Sequence, residues 1–343
     1  MKQAKIIRPG ALQFEDIPDL CPKHLADHEI LLQIRAIGIC GGDIHVMHGE
    51  HPFVTYPVIQ GHEYGAIVVA TGKSVSKVKP GDFATARPQL VCDACAPCLK
   101  GRYNVCQKLR VQGFQAPGAA QQYFIVPEER VVKADNSMTF DEIAMIEPCA
   151  VGARATSKTD LKDKNVVVTG AGTIGNIVAQ FALARGARKV LITDISDLRL
   201  KKAQECGIEH VANTSKEKFE DAVCRVFGDE MFQAGFEVSG AQPCITDLVA
   251  NIEKGCHIIL VGVFSKPPLV DLAIVDEHEI TISGSMMYKH EDFEMAAELL
   301  QKGKINVKPL VTQRFPFEDY ADAYKYIDNN REACMKVMID MPE

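Results

Sequence analysis

The sequence predicts an α/β chain of two domains, a mainly-β one followed by a doubly wound parallel sheet. Three observations carry this: the length, a change of rhythm near residue 164, and six apolar strand segments that alternate with helical ones from there on. At 343 residues the chain exceeds one ordinary core and suits two domains of roughly 150 residues each. Its 47% hydrophobic and 24% charged residues are the balance of a globular protein.

Residues 1–135 read as short β segments, among them Glu29–Arg35 and Gly65–Ala70, separated by turns such as Lys79-Pro80-Gly81-Asp82. Beyond these, the expected strands are 164–169, 189–194, 209–212, 234–238, 256–261 and 279–284. Helical spacing fills most intervals; Ile174, Ile177, Val178, Phe181 and Ala182 share one helix face. Strands alternating with helices predict the doubly wound sheet. After 290 the spacing predicts two amphipathic helices, near 291–302 and 317–328, and a closing apolar strand near 335–340.

A net charge of −7 and a pI near 5.8, with no basic run, argue against nucleic acid or an anionic membrane as the main partner. The N-terminal ten residues lack the apolar core of a signal peptide, and no stretch is apolar enough to span a bilayer. A cytoplasmic location is expected, so the twelve cysteines point to metal ligation or burial rather than disulfides.

The spacing Cys92-x2-Cys95-x2-Cys98-x7-Cys106 is the strongest motif. Four thiols this close in a loop can wrap one tetrahedral Zn²⁺, with Zn–S at about 2.3 Å. All four positions are then filled by protein, which makes such a zinc structural. A zinc ribbon for nucleic acid uses similar spacing, but the acidic pI and the lack of nearby aromatic-basic interleaving count against it.

The second motif is Gly170-Ala171-Gly172-Thr173-Ile174-Gly175, which follows the apolar run Val166-Val167-Val168-Thr169 and opens a helix. Gly170 permits the tight turn, Gly172 lets a pyrophosphate approach, and Gly175 allows close helix–strand packing. Asp194 ends the next strand. It would accept from ribose hydroxyls and repel a 2′-phosphate, favouring NAD over NADP. Arg199 either reaches the same ribose or is solvated. A third constellation is dispersed: Cys40 and His62 are good zinc ligands, and a carboxylate from Glu63 or Glu147 is a candidate third.

These motifs stand in the order seen in zinc-containing medium-chain dehydrogenases, which the chain resembles over essentially its whole length. It looks most similar to the polyol and sugar-acid members (sorbitol, L-iditol, L-gulonate and L-galactonate types), with threonine and butanediol dehydrogenases as near relatives. The stretch His51–Pro57 is similar to the sugar-acid members in particular. The resemblance implies a GroES-like catalytic domain over 1–150, completed by 290–343, and a Rossmann NAD-binding domain over 151–289. It implies one catalytic zinc at the cleft and one structural zinc.

Carried over by position, Cys40 and His62 match ligands of the catalytic zinc, Glu63 an exchangeable ligand, and Glu147 the remaining ligand or water-binding position. Asp43 matches a residue that orients a ligand from behind, and His45 one that passes a proton to solvent. Thr173, Ile174 and the strand-end segments Val238-Ser239-Gly240 and Val261-Gly262 are expected to hold the nicotinamide ring in place. The implied reaction oxidises a secondary alcohol of a small polyhydroxylated substrate and passes hydride to NAD. Enzymes acting on threonine or butanediol, and a non-catalytic NADH-binding protein, are the alternatives; an intact ligand set counts against the last. A homodimer or homotetramer is expected.

Two positions depart from the pattern. Gly42 stands where the family has Ser or Thr, whose hydroxyl begins a proton relay. Met287 stands where sorbitol dehydrogenases carry a substrate-binding Arg. The gap at Gly42 is expected to hold an ordered water or a substrate hydroxyl, and Gly42→Ser to be tolerated.

Overall fold

The computed structural model describes residues 1–342, which divide into two units. The first takes Met1–Glu147, Lys289–Gln301 and the chain from Val311 onward; the second takes Pro148–Tyr288 and Lys302–Leu310. Residues 302–310, assigned by the sequence reading to the first domain, thus group with the second. The Gln180 amide holds them there, donating to the Asn306 carbonyl at 3.1 Å and accepting its N–H at 2.6 Å.

The first unit is built on a sheet whose strands run, in spatial order, Val311–Pro316, Lys336–Asp340, Glu29–Ile39, Glu63–Thr71, Phe83–Ala86 and Val131–Ala134, with Tyr123–Pro127 also paired to Glu29–Ile39. The first of these strands has no counterpart in the sequence reading. Glu29–Ile39 is central and buries nearly every side chain; Ile30, Leu32, Ile34 and Ile37 join Tyr64, Val68, Val337 and Ile339 in one core. It runs antiparallel to both neighbours, pairing Gly38 with Glu63 and Ile39 with Val337. Residues 40, 63 and 336 therefore meet at one end of the sheet.

The second unit holds a parallel sheet in the order His210–Asn213, Lys189–Asp194, Asn165–Thr169, Phe232–Glu237, Ile252–Leu260, Thr281–Gly284. Counted along the chain this is 3-2-1-4-5-6, the Rossmann order, which reverses beside Asn165–Thr169. Successive residues bury on opposite faces: Val166, Val168, Ile192 and Phe236 in one core, Val167, Leu191 and Ile258 in the other, as a sheet covered on both sides requires. Gly170 turns at φ +99°. A Cβ on Gly175 would stand 1.7 Å from the Gly170 oxygen, so only glycine lets the helix Thr173–Ala184 begin this close to the strand. Among the described residues, no helix is long and apolar enough to cross a membrane.

Candidate metal and cofactor sites

Cys40 follows the strand Glu29–Ile39 and caps the helix Gly41–His48. One oxygen of Asp43 accepts the Cys40 N–H at 2.9 Å. The other accepts from the Gln60 amide at 3.1 Å and faces His62 Nδ1 at 3.6 Å. Gln60 in turn accepts from the Tyr324 hydroxyl at 2.5 Å. A histidine with one nitrogen facing a carboxylate is the arrangement of an oriented metal ligand. The ligand atoms of Cys40, His62 and Glu63 lie within 4.8 Å of one another.

Glu63 is buried against an equally buried Lys336, whose ammonium donates to both carboxylate oxygens (2.7 and 2.5 Å) and to the Ile39 carbonyl (3.1 Å). Burial works to lower the Lys336 pKa, but Glu63 and then Cys40 outweigh it and keep the pKa above the ordinary lysine value. Burial likewise disfavours a charged His62, yet Asp43, Cys40 and Glu147 raise its pKa well above the usual range. Glu147 is buried and adds its field to both groups, though it lies outside the three-ligand cluster. A thiol, an imidazole and a carboxylate in an electronegative buried pocket fit Zn²⁺, and not the oxygen-only preference of Ca²⁺ or Mg²⁺.

Of the remaining predicted residues in this unit, His45 sits exposed on the helix with Nδ1 3.0 Å from Glu50. The ring of Phe114 lies against Gly42, and a Cβ at 42 would stand 2.8 Å from Phe114 Cζ, so a side chain at 42 requires that ring to shift. Sequence reading missed Lys336, Gln60, Tyr324 and Phe114. A lysine opening the apolar strand Lys336-Val337-Met338-Ile339 was a faint signal; Phe114 gave none.

The four-cysteine loop closes on itself. Its sulfurs lie 3.4 Å apart for Cys95–Cys98, 3.5 Å for Cys106–Cys92 and 3.9 Å for Cys95–Cys106. A zinc at about 2.3 Å from each would set sulfurs about 3.8 Å apart, so the set fits one tetrahedral ion. Backbone N–H groups of Cys92 and Lys108 point at the Cys106 sulfur, and those of Gln107 and Cys98 bring the Cys95 thiol down to about 6. The Cys95 thiolate is thereby favoured, while burial, and then the neighbouring Cys95 and Cys106 thiols, push Cys98 up to about 12.

In the second unit Asp194, with its side chain 6% exposed, accepts the Ala171 N–H at 2.7 Å and the Ser196 N–H at 2.9 Å. Arg199 stands 3.8 Å from it. The helix beginning at Thr173 and Ile174 has Gly172 at its cap and no side chain over its first N–H groups, which suits an anion. Gly170, Ser239 and Gly262 converge there. A Cβ on Gly170 would meet Ser239 at 3.1 Å, and one on Gly262 would meet Glu237 Oε2 at 2.6 Å. The backbone N–H groups of Val261 and Gly262 donate to the Glu237 carbonyl. Glu237, fully buried and also missed in the sequence, organises this turn by accepting from the Ser239 N–H and hydroxyl and the Gly240 N–H.

Comparison with known proteins agrees with this geometry. Residues 26–136 match the alcohol dehydrogenase GroES-like domain, and residues 173–302 match the zinc-binding dehydrogenase family. The chain is 33% identical over 322 residues to the L-galactonate-5-dehydrogenase of Escherichia coli, covering 91% of this chain and 92% of that one. It is 30% identical over 338 residues to an L-threonine 3-dehydrogenase of Saccharopolyspora erythraea, covering 97% and 96%. A solved alcohol dehydrogenase from Escherichia coli complexed with NADH matches it with a TM-score of 0.89 at 27% identity, covering 99% of each chain. The chain belongs to the zinc-containing medium-chain dehydrogenases, in their polyol dehydrogenase-like group.

Proposed function

We propose that the protein oxidises a secondary alcohol of a small polyol or sugar acid to the ketone, using zinc and NAD. The observation that carries this is the cluster of half-buried Cys40 with buried His62 and Glu63 at one end of the first sheet. Zinc, when bound, supplies the Lewis acidity that lowers the pKa of a substrate hydroxyl, and the nicotinamide takes up the hydride. Cys40 and His62 fix the metal, with Asp43 holding the imidazole in orientation. Glu63 supplies a carboxylate whose charge Lys336 balances, and Glu147 serves the remaining position. His45, on the exposed face of its helix, hands the proton to solvent. The second zinc, held by Cys92, Cys95, Cys98 and Cys106, is structural.

Asp194 receives the adenosine ribose and disfavours a 2′-phosphate, which makes NAD the preferred cofactor. Thr173, Ile174, Ser239, Val261 and Gly262 line the nicotinamide end. The chain acts in the cytoplasm as a homodimer or homotetramer. Supporting the assembly are the exposed apolar side chains Val263, Leu269, Leu272 and Met286 and the edge strand Thr281–Gly284. The L-galactonate relative supports a sugar-acid substrate, and the L-threonine relative supports a second reading as a threonine dehydrogenase.

A screen of NAD and NADP reduction across polyols, aldonates, butanediol and threonine tests the reading. NAD reduction fastest with a polyol or aldonate is expected. Turnover confined to threonine would establish the second reading, and equal use of NADP would remove the role given to Asp194.

A further inference from the structure

Gly42 lies two residues from Cys40, and a Cβ built on it would stand 2.8 Å from Phe114 Cζ and 3.4 Å from Cε1. Ordinary carbon–carbon contacts lie at about 3.5–4.0 Å, so position 42 admits no side chain while the ring is where it is. Two ring contacts oppose its withdrawal. It stacks on His51 at 4.8 Å with the planes 15° apart, and it tilts against the metal-site residue His62 at 4.9 Å. Its remaining apolar surface packs on the core of the first unit.

The loop that carries Phe114 is equally fixed. Backbone bonds run from the Gly113 N–H to the Ala116 carbonyl at 2.8 Å and from the Phe114 N–H to the Val111 carbonyl at 3.1 Å. Gly113, at φ +87°, brings this loop so close to His62 that a Cβ there would lie 3.3 Å from Nδ1. A β-carbon would be strained at that backbone angle as well as crowded. The ring is thus held between Gly42, His51 and His62.

We propose that Gly42 and Phe114 are an interlocked pair that sets substrate specificity. Phe114 takes the volume a side chain at 42 would need and presents a partly exposed aromatic wall beside the metal site. Its ligand is the C–H face of a polyhydroxylated chain. For its substrate the proposal rests on the dehydrogenase reading above; the interlock stands on geometry alone.

The chemistry follows from the two surfaces. An aromatic face is apolar and carries the negative lobe of a quadrupole. The C–H groups of a sugar-like chain, made electropositive by their hydroxyl-bearing carbons, lie well against it. A short aliphatic alcohol reaches the metal but covers little of the wall. His51 adds a polar group behind the ring. Its Nδ1 accepts the Phe53 N–H at 3.3 Å, so the neutral imidazole carries its proton on Nε2 as a donor. Burial, and then His45, hold its pKa below the usual histidine value, which keeps that neutral form at neutral pH.

The test is a double-mutant cycle in the full-length protein with Gly42→Ser, Phe114→Val and the pair, read first by Tm and bound metal. Gly42→Ser is expected to lower Tm by several degrees and to release metal, because the ring must leave its contacts with His51 and His62 to make room. Adding Phe114→Val is expected to restore much of both. Phe114→Leu, which keeps apolar volume without the aromatic face, supplies the specificity readout. It is expected to lower the ratio of kcat/KM for the best polyol or aldonate to that for 2-butanol by roughly tenfold or more. Wild-type Tm and metal content in Gly42→Ser, or strict additivity in the cycle, would overturn the interlock. A coupled cycle with an unchanged substrate ratio would overturn the role in specificity. Should the wild type oxidise no alcohol, the dehydrogenase reading falls and the specificity role with it, while the Tm cycle still decides the interlock.

Discussion

The two candidate metal sites of the first unit are assembled in opposite ways. The four-thiol site is drawn from one loop, with a single short helical turn, Ala96–Leu99, and backbone N–H groups aimed at its sulfurs. The Cys40–His62–Glu63 site is drawn from the ends of separate strands and forms only when the sheet has paired. Its charged and polar groups must be satisfied from still farther along the chain: Lys336 for Glu63, and Tyr324 through Gln60 for Asp43. A locally gathered site can contribute to folding as soon as metal arrives. A site gathered late depends on the fold and is free to be tuned for chemistry.

The contrast predicts a division of effects, largest first. Cys40→Ala or His62→Ala should abolish turnover and leave Tm within a few degrees of wild type. Cys95→Ala should instead lower Tm by roughly 10 °C or more, because loss of a structural zinc removes folding free energy. Thermal melts beside a turnover assay decide this, and similar melts for both classes would break the comparison.

Lys336→Met should come next, since it strands a buried carboxylate. A loss of about 3–5 kcal/mol in urea denaturation is expected, with Lys336→Arg retaining most of the stability. If Lys336→Met cost under about 1 kcal/mol, as exposed pairs do, the dispersed site would not depend on its distant partners.

Tyr324→Phe removes one hydrogen bond from the chain behind Asp43 and should cost about 0.5–1.5 kcal/mol, with kcat/KM falling modestly. No change in either would detach the C-terminal helix Tyr320–Asn329 from the site.

The smallest effect concerns His51, whose folded pKa lies below its ordinary 6.5. The folded state then binds the proton less well than the unfolded one, so stability is full above about pH 6.5 and declines as pH falls through that value. A nuclear magnetic resonance titration of His51 with a midpoint at or above 6.5 would contradict the burial of its ring.

What could be read in the sequence follows the same contrast. The cysteine loop and the Gly170–Gly175 turn keep their chemistry within a few residues, so spacing alone exposes them. The strands of the second unit were legible because burial on both faces leaves unbroken apolar runs such as Val166-Val167-Val168. Cys40, His62 and Glu63 gave good ligand types but no shared spacing, because register between strands brings them together. Lys336 and Phe114 stayed hidden for the same reason. Each acts on a residue more than fifty positions away, and neither type announces a metal site. Gly42 was legible as a departure, but nothing in the sequence indicates that the ring of Phe114 lies against it. The strand Val311–Pro316 escaped because it lies at the sheet edge, with a mixed burial pattern.

Stepwise metal removal tests the central claim most directly. Zinc content, Tm and turnover are followed together as a chelator is added to the purified protein. Two zinc ions per chain are expected, with turnover lost on release of the first while Tm holds, and Tm collapsing only on release of the second. One zinc per chain, or loss of turnover and Tm in a single step, would contradict the account.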